Sequence, residues 1–425
     1  MSKRVVIVGG VAGGMSCAAR LKRLDECLEV TVFERGGDVS FANCGMPYYI
    51  GGVIPDRAML HVQTDEGLRR RYAIDVRTRH EVIGIDRAGK CVIVKDLAGG
   101  ETFTQPYDAL VLATGASPVR PPIPGADGSN VFILNNLADM DAIAAAAGAS
   151  RRACVIGAGF IGLELAENLR HRGLKVTVVE MLKHVLPRMD AEMARPVAQE
   201  LRVNGVELRL GETVTAIEDA HVVLKSGERI ECDMVCLCAG VRPNSALARE
   251  AGLTVDERGY IHVDERLRTS DPAIYAIGDV VAAADLVTGA PTPMPLAGPA
   301  NRQGRIAADN IAGRVSAYRG TQGTSIIKVF NLAAAHFGMT EAQAKEAGHK
   351  IKVGRFPFIG NGKAIALGEP DGMVKTVFDA ATGELLGAHM IGAEVTELIQ
   401  GYVVGRALET TEEDLMNTVF PHPTL

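Results

Sequence analysis

The sequence predicts an α/β protein with two parallel-sheet units and a C-terminal α+β domain. An apolar strand, a Gly-rich turn and a helix occur in this order twice, beginning near residues 4 and 153. The sequence pattern changes near residue 321, after which hairpin and helix patterns occur without a Gly-rich turn. A chain of 425 residues is also too long for one ordinary core, so two or three domains are expected.

The first unit is a βαβ pattern of about thirty residues. Residues 4–8 form the first predicted strand, residues 13–24 the helix and residues 30–33 the second strand. Gly9 permits a tight turn and Gly14 permits close packing of the helix on the strand. Val11 replaces the middle glycine of the usual pattern. Glu34 closes the second strand, where a carboxylate can accept both ribose hydroxyls of a dinucleotide.

The second unit carries the complete pattern, with glycines at positions 157, 159 and 162. Strands are predicted over 154–156 and 176–179, with a helix over 161–171. Glu180 follows the second strand and would repel a 2′-phosphate, so NADH is favoured over NADPH. Lys183 and His184 lie close by and can soften that preference.

Residues 109–115 and 274–279 read as further strands of the first unit. Asp279 ends the latter strand, where its carboxylate suits a polyol hydroxyl of a flavin or a helix N-cap. Residues 118–124 hold four prolines and read as a linker. These features predict one domain over 1–117 and 243–320, a second over 118–242 and a third over 321–425.

The third domain is predicted to hold a hairpin and two helices. The hairpin joins strands over 374–379 and 385–391 around Thr382 and Gly383. The helices cover residues 395–408 and 411–417. Small apolar residues over 332–335 suit a core or an interface equally.

Composition excludes several classes of protein. A formal net charge of −6 and the absence of Trp argue against nucleic acid as a partner. No run of eighteen uncharged apolar residues exists, so no membrane span is expected. Residues 5–19 resemble a signal peptide, but four glycines interrupt them in the dinucleotide pattern. The spacing of the eight cysteines is not that of a disulfide framework, so a reducing cytoplasm is expected.

Cys44 is the main candidate for chemistry. No second cysteine lies four or five residues away, so a redox partner must be a small thiol, a sulfane sulfur or an oxygen species. The start of a helix beside a flavin would favour its thiolate. Arg20 and Arg23 share one face of the first helix, which suits a phosphorylated thiol or a solvated surface. Cys236 and Cys238 alternate on an apolar strand over 234–239 and are expected to be core residues, with no metal site.

With these motifs in place, the chain resembles the FAD-dependent pyridine nucleotide-disulfide oxidoreductases. The motifs at 11–14, 40–47, 240–244 and 295–302 are similar to the single-cysteine branch of coenzyme A disulfide reductases, NADH-dependent persulfide reductases and NADH oxidases. The resemblance implies two Rossmann-like domains, one for FAD and one for NAD(P)H. It makes Cys44 the redox centre.

The resemblance also implies the residues that bind each group. FAD is expected at Gly9, Gly14, Glu34, Ala113, Asp279 and Ala297. NADH, or NADPH as the alternative, is expected at Gly157, Gly159, Gly162, Glu180 and Gly240. Further cofactor-binding residues are expected at Val11, Ala12, Gly13, Arg35, Asn43, Val82, Thr114, Gly115, Phe160, Ile161 and Gly278. The thiol substrate is expected at Ser16, Arg20, Arg23, Ser40, Asn43 and Asn301.

The last seventy residues resemble instead the dimerisation domain of dihydrolipoamide dehydrogenase, through motifs at 360–364, 387–392 and 420–424. The matching histidine there crosses a homodimer and acts as acid–base on the substrate thiol, which implies a catalytic role for His422. The glutamate that follows it in that family has no counterpart up to Leu425.

These implications predict an enzyme that passes electrons from NADH through FAD to Cys44, which reduces a small-thiol disulfide, persulfide or polysulfide. An NADH oxidase is one alternative, although the histidine of the oxidases is missing from the first Gly turn. A lipoamide-type dehydrogenase and a non-enzymatic redox sensor are the others. A homodimer with an active site shared across the interface is expected.

Overall fold

The computed structural model describes residues 2–425 and confirms the α/β fold class. Three units are present, each built around a five-stranded sheet. The first two sheets are parallel and the third is antiparallel. No helix in the described residues is both long enough and apolar enough to span a bilayer.

The chain up to residue 118 builds most of the first unit. Its helices are α1 (Ala12–Leu24), α2 (Met46–Ile50) and α3 (Asp65–Tyr72). Its strands are β1 (Arg4–Val8), β2 (Glu29–Glu34), β3 (Asp75–Thr78), β4 (His80–Asp86), β5 (Cys91–Asp96), β6 (Thr102–Pro106), β7 (Ala109–Leu112) and β8 (Ala116–Pro118). Two 3₁₀ turns, Asn43–Gly45 and Arg57–Leu60, lie on either side of α2.

The next part of the chain builds the second unit. Its helices are α4 (Leu137–Ala149), α5 (Phe160–His171) and α6 (Ala191–Val203). Its strands are β9 (Val131–Phe132), β10 (Arg152–Ile156), β11 (Lys175–Glu180), β12 (Val206–Leu210), β13 (Val214–Ile217), β14 (His221–Leu224), β15 (Arg229–Glu231), β16 (Met234–Leu237) and β17 (Val241–Pro243).

The chain then returns to the first unit and completes it. The elements are α7 (Ala246–Glu250), β18 (Ile274–Ala276), the 3₁₀ turn Gly278–Val280, β19 (Ala282–Ala284), β20 (Pro291–Pro293) and α8 (Ala297–Ile311).

The third unit follows without interruption. Its strands are β21 (Ser325–Val329), β22 (Leu332–Gly338), β23 (Ile351–Pro357), β24 (Met373–Asp379) and β25 (Leu385–Gly392). Its helices are α9 (Glu341–Glu346), α10 (Gly362–Leu367), α11 (Val395–Ala407) and α12 (Glu412–Asn417), and a 3₁₀ turn covers Phe358–Gly360.

The two parallel sheets are built in the same way. Their strand orders are β18–β7–β1–β2–β3 and β12–β11–β10–β16–β9. In the first, Val8 pairs with Phe33 and Leu112, so the carboxyl ends of three strands meet at one edge. The central strands are buried on both faces, as their apolar runs predict. The antiparallel pair β8–β17 carries the chain between the two units.

The third sheet has the order β21–β22–β25–β24–β23. One hydrophobic core joins parts of all three units, because it contains Met46 and Ile50 of α2, Leu163 of α5 and Phe330 of the third unit. The helix after Cys44 therefore packs on the second unit rather than on its own.

Most predicted elements are confirmed within one or two residues, including the hairpin β24–β25 and helices α11 and α12. Four expectations are wrong. Strand β16 ends at Leu237, so Cys238 lies beyond it. Asp279 lies inside a 3₁₀ turn whose N-cap is Ile277, and no side chain caps that turn. The strands predicted over 109–115 and 274–279 end earlier, at Leu112 and Ala276. Cys44 lies in a 3₁₀ turn directly before α2. That helix has only five residues, which is too few for a large helix dipole.

Candidate active site

The first Gly turn is sterically closed to larger residues. Gly9 has φ +108°, and a Cβ there would lie 2.1 Å from the Ala113 carbonyl oxygen. A Cβ at Gly14 would lie 1.9 Å from the Gly9 carbonyl oxygen. Helix α1 starts after Val11 without a side-chain cap. Its first amides therefore face the turn, which is the arrangement that binds a phosphate.

The second Gly turn repeats this geometry. A Cβ at Gly157 would lie 2.3 Å from the Cys238 carbonyl oxygen, and one at Gly162 would lie 2.0 Å from the Gly157 carbonyl oxygen. Helix α5 also starts without a side-chain cap. A Cβ at Gly159 or Gly240 would meet no atom within 4 Å, so both positions border open space.

An acid closes each turn in the same manner. Glu34 accepts hydrogen bonds from the Gly10 amide at 2.8 Å and the Gly36 amide at 2.7 Å. Glu180 accepts them from the amides of Ala158 at 2.8 Å and Leu182 at 2.9 Å. Each carboxylate is thus held beside its Gly turn, with lone pairs left for a ribose.

Asp279 lies at the carboxyl edge of the first sheet, directly after Gly278. Gly278 has φ +78°, and its amide donates to the Gln303 side chain at 2.7 Å. The Asp279 carboxylate has no hydrogen-bond partner within residues 2–425. Burial raises its pKa to about 6. A half-buried carboxylate without a partner has unmet hydrogen-bonding capacity, which a hydroxyl of a bound ligand would fill.

The loop that carries Cys44 is tied to the first Gly turn. The Ser40 amide donates to the Gly10 carbonyl oxygen at 2.9 Å, and the Ala42 amide donates to the Leu60 carbonyl oxygen at 2.8 Å. A Cβ at Gly45 would lie 2.5 Å from Leu60 Cδ2, so the main chain directly after Cys44 packs closely against the Leu60 side chain. Cys44 and Asn43 are exposed.

A charged network also fixes this loop to the second unit. Arg57 donates to Asp38 at 3.0 Å and, from its Nε, to Asp141 of α4 at 2.9 Å. His61 Nε2 lies 2.9 Å from Asp38 Oδ1. The pKa of Asp38 lies below its usual value, because the hydrogen bonds from Arg57 and His61 outweigh its burial. The segment beside Cys44 is therefore held from both sides.

The structure partly buries one acid, missed by sequence analysis, on the helix that packs against α2, the helix after Cys44. Glu164 lies on α5, which packs against α2. Burial raises the pKa of Glu164 to about 7, and the charge of Glu167 adds to this shift. Burial raises the pKa of Tyr48 to about 12, and Glu164, Glu167 and Cys44 contribute to it. Glu164 can therefore give or take a proton near neutral pH.

Helices α1 and α8 cross in close contact and bring several predicted substrate residues together. A Cβ at Gly304 would lie 2.4 Å from the Gly13 carbonyl oxygen. Ser16 Oγ donates to Asn301 Oδ1 at 2.7 Å. Arg20 pairs with Asp309 at 2.9 Å rather than standing free.

The remaining predicted residues differ in whether their side chains are exposed, buried or already hydrogen-bonded. Arg23 Nε donates to the Ala19 carbonyl oxygen, and its side chain is exposed. Val82 is buried among core residues. Thr114 Oγ1 donates to the Asn244 carbonyl oxygen. His422 is exposed in the C-terminal tail, away from any hydrogen-bond partner in the described residues.

The other predicted positions lie around the same two turns. Val11 and Ala12 form the start of α1, Arg35 is exposed after β2, and Gly115 has φ +65° after β7. Phe160 and Ile161 are the first residues of α5. Ala297 begins α8, which also starts without a side-chain cap.

Comparisons with known proteins agree with this geometry. A family model described as pyridine nucleotide-disulphide oxidoreductase matches residues 3–304, and the model for the dimerisation domain of that family matches residues 324–425. The coenzyme A disulfide reductase of Staphylococcus aureus (strain JH9) is 36% identical over 351 residues, which cover 82% of this chain and 80% of that protein.

Two solved structures are similar over nearly the whole chain. Reduced Bacillus anthracis CoADR-RHD has a TM-score of 0.94 at 42% identity, covering 99% of this chain and 77% of that one. The NAD-dependent persulfide reductase of A. fulgidus has a TM-score of 0.93 at 35% identity, covering 98% of this chain and 79% of that one.

Proposed function

The chain belongs to the pyridine nucleotide-disulphide oxidoreductase family, and we propose that it is an NADH-dependent reductase of coenzyme A disulfide or persulfide. Enzymes of this family are FAD-dependent NAD(P)H oxidoreductases. The observation that carries the proposal is the position of Cys44. It is exposed on a loop bonded to the first Gly turn, and it has no disulfide partner in the described residues.

The residues around the first Gly turn fit a flavin dinucleotide. The amides at the start of α1 suit its pyrophosphate, Glu34 suits its ribose, and the unpartnered Asp279 suits a polyol hydroxyl. When bound, the flavin supplies a two-electron path from nicotinamide to sulfur. Glu180 beside the second turn supports NADH over NADPH, because a 2′-phosphate would meet its charge.

The sulfur chemistry is assigned to Cys44. Its thiolate attacks one sulfur of a substrate disulfide RS–SR, forming Cys44–S–SR and releasing RS⁻, which takes a proton. Two electrons from NADH then break that bond and restore the Cys44 thiolate with release of the second thiol. The balance is RSSR + NADH + H⁺ → 2 RSH + NAD⁺. Glu164 and the partner subunit's His422 are the candidate proton donors.

The substrate thiol is proposed to lie along α1 and α8. Ser16 and Asn301 offer hydrogen-bonding groups near the Gly turn. Arg20 lies about one turn, and Arg23 about two turns, further along α1. Ser40 and Asn43 come from the cysteine loop itself. A phosphorylated thiol such as coenzyme A has a long polar chain that could bind along these polar and basic side chains.

We propose a homodimer formed through the third unit. Its last residues expose apolar side chains that would be covered by a second copy, and a dimerisation-domain model matches this region. The most exposed are Leu408, Met416, Val419 and Phe420. Such a dimer would bring His422 of one subunit toward Cys44 of the other.

All eight cysteines are free, which supports a reducing cytoplasm as the location.

The function is tested by anaerobic NADH oxidation with the purified flavoprotein. Coenzyme A disulfide, coenzyme A persulfide and lipoamide are offered separately, and oxygen is offered in a fourth assay. Turnover with either coenzyme A species supports the proposal and selects the substrate. Fast oxygen uptake without turnover on any sulfur acceptor would make the protein an NADH oxidase, and turnover on lipoamide alone a lipoamide-type dehydrogenase.

Replacement of Gly162 by alanine is expected to weaken NADH binding while the flavin stays bound. The new Cβ would lie 2.0 Å from the Gly157 carbonyl oxygen, so α5 must move away from the second turn. We expect a loss of about 1–3 kcal/mol in unfolding free energy. Gly148→Ala in α4 is the control, because its Cβ meets nothing within 4 Å. An unchanged dissociation constant for NADH in Gly162→Ala would contradict the assignment.

Asp279→Asn is expected to stabilise the flavin-free protein in a pH-dependent way. Burial raises the folded pKa of Asp279 to about 6, above its unfolded value of 3.8, so its ionisation destabilises the folded state as pH rises through this interval. The variant should gain most at pH 8 and least near pH 4, measured by urea unfolding. Asp127→Asn removes a carboxylate that is 95% exposed and serves as control. Equal gains at both pH values would refute this role of burial.

A further inference from the structure

Helix α5 packs on the third unit through a shared hydrophobic core, with one ring contact at each of its ends. At its first residue, the Phe160 ring lies 6.1 Å from the His336 ring with an interplanar angle of 33°. At its last residue, the His171 ring lies 5.6 Å from the Phe330 ring, edge to face. Both distances are within the range of favourable ring pairs. Only the first of these contacts adjoins the second Gly turn.

His336 is an unusual residue for its position in the sheet. It lies on β22, is 4% exposed, and neither ring nitrogen has a hydrogen-bond partner in the described residues. Burial lowers the pKa of His336 to about 3, and His389 and Arg188 act in the same direction, so the ring is neutral. Since no hydrogen bond is made, packing contacts alone hold this ring in place.

Two ring contacts join His336 to different units. Its ring lies beside the Phe160 ring of the second unit, and it is stacked on His389 of β25 at 5.7 Å with an interplanar angle of 6°. His389 is itself fixed, because its Nε2 lies 3.0 Å from the Met339 carbonyl oxygen. On β24, its cross-strand neighbour is the buried Lys375. The three rings therefore form a row from the third sheet to the start of α5.

The role of His336 lies in its ring contacts, because its two nitrogens make no hydrogen bond within the described part of the chain. A buried imidazole with two unpaired nitrogens costs free energy that a phenylalanine in the same place would avoid. The row ends at Phe160, the residue that follows Gly159. A Cβ at Gly159 would meet no atom within 4 Å, so Gly159 borders open space. The Phe160 amide belongs to the uncapped first turn of α5, where a dinucleotide phosphate would bind.

We propose that His336 is a positioning residue for the nicotinamide dinucleotide, acting through Phe160. The ring fixes the first turn of α5 against the third unit, so the third sheet sets the geometry of the second Gly turn. This inference rests on the proposed function, because it takes that turn as the NADH site. It adds a residue from the third unit to a site otherwise built from the second.

The test is equilibrium binding of NAD⁺ to the oxidised full-length flavoprotein, with steady-state kinetics as the second readout. His336→Ala removes the ring and is expected to weaken NAD⁺ binding about three- to tenfold, the size of one ring contact. The KM for NADH should rise by the same factor. The kcat and the KM for the disulfide should stay within about twofold.

Two further variants separate positioning from a general structural effect. His336→Phe keeps a ring and is expected to bind NAD⁺ within about twofold of the parent protein. His171→Ala removes the matching ring contact at the far end of α5 and should also leave NAD⁺ binding unchanged. Unaltered binding in His336→Ala, or equal weakening in all three variants, would overturn the inference.

The inference and the proposed function fail in different ways. A parent protein that binds NAD⁺ normally, with His336→Ala indistinguishable from it, removes the positioning role and leaves the function intact. A parent protein that binds no NAD⁺ and whose flavin is not reduced by NADH removes both.

Discussion

Replacement of Cys44 by serine is expected to lower turnover with a coenzyme A disulfide by at least about a thousandfold, because serine cannot form the mixed disulfide. The side chain is exposed and its loop is held by backbone bonds from Ser40 and Ala42. We therefore expect normal folding and normal flavin absorbance. The measurement is NADH oxidation under anaerobic conditions, with the thiol product counted.

Cys27→Ser is the matched control for this variant. Cys27 and Cys44 are the two exposed cysteines in the described residues. Cys27 lies between α1 and β2, away from both Gly turns. Its replacement should leave turnover within about twofold. If Cys44→Ser keeps disulfide turnover, the thiol mechanism is wrong, and a flavin that reacts directly with its acceptor becomes the better account.

Replacement of Lys375 by methionine is expected to cost about 1–3 kcal/mol of unfolding free energy, because it removes the buried ammonium that three partly exposed carboxylates share. Arg355 still pairs with Glu192 and Glu341, which limits the loss. Lys375 is 1% exposed, and its Nζ donates to Asp190 at 2.7 Å and to Glu341 at 2.9 Å. It also bonds to Glu192. Asp190 and Glu192 begin α6 of the second unit, so the cluster joins that unit to the third. Urea unfolding measures the loss.

Lys345→Met is the control for this prediction. Lys345 pairs with the same Glu341 at 2.6 Å, but its side chain is 61% exposed. An exposed pair contributes about 0–1 kcal/mol, so its loss should be small. Equal losses in the two variants would mean that burial of Lys375 does not determine the energy of the cluster.

The cost of Lys375→Met should also depend on pH. Burial alone would raise the pKa of Asp190, but Lys375 and the Glu341 amide outweigh it and the pKa is lowered. Hydrogen bonds from Lys345 and Lys375 lower the pKa of Glu341 to about 2. The contribution of these carboxylates is present above their unfolded pKa values and is lost as pH falls through the folded ones. The variant should therefore approach the parent protein in acid.

The highest pH at which the cluster still stabilises the protein is set by the pKa of Lys375. Burial would lower its pKa, but the bonds to three carboxylates outweigh burial and raise it above 10.5. Its contribution is complete below that value and is lost as pH rises beyond the folded pKa. Between about pH 5 and pH 10 the difference between Lys375→Met and the parent protein should be constant.

Sequence alone predicted the two Gly turns and the acids after them, and it singled out Cys44 as the candidate redox centre. These features are local, since a phosphate cradle needs glycines a few residues apart and an acid one strand later. The Cβ distances at Gly9, Gly14, Gly157 and Gly162 give the physical reason for each glycine. The resemblance to the single-cysteine branch then supplied family, cofactors and reaction type, which the comparisons show.

Tertiary structure decided what surrounds those motifs. Glu164 acquires a pKa of about 7 only because α5 is buried against other elements. Asp279 is a partnerless acid rather than a cap, because Ile277 is the N-cap of the 3₁₀ turn. Lys375 meets Asp190 across 185 positions of sequence, and His336 meets Phe160 across two units. Burial and long-range pairing depend on how separate sheets pack, which no local pattern encodes.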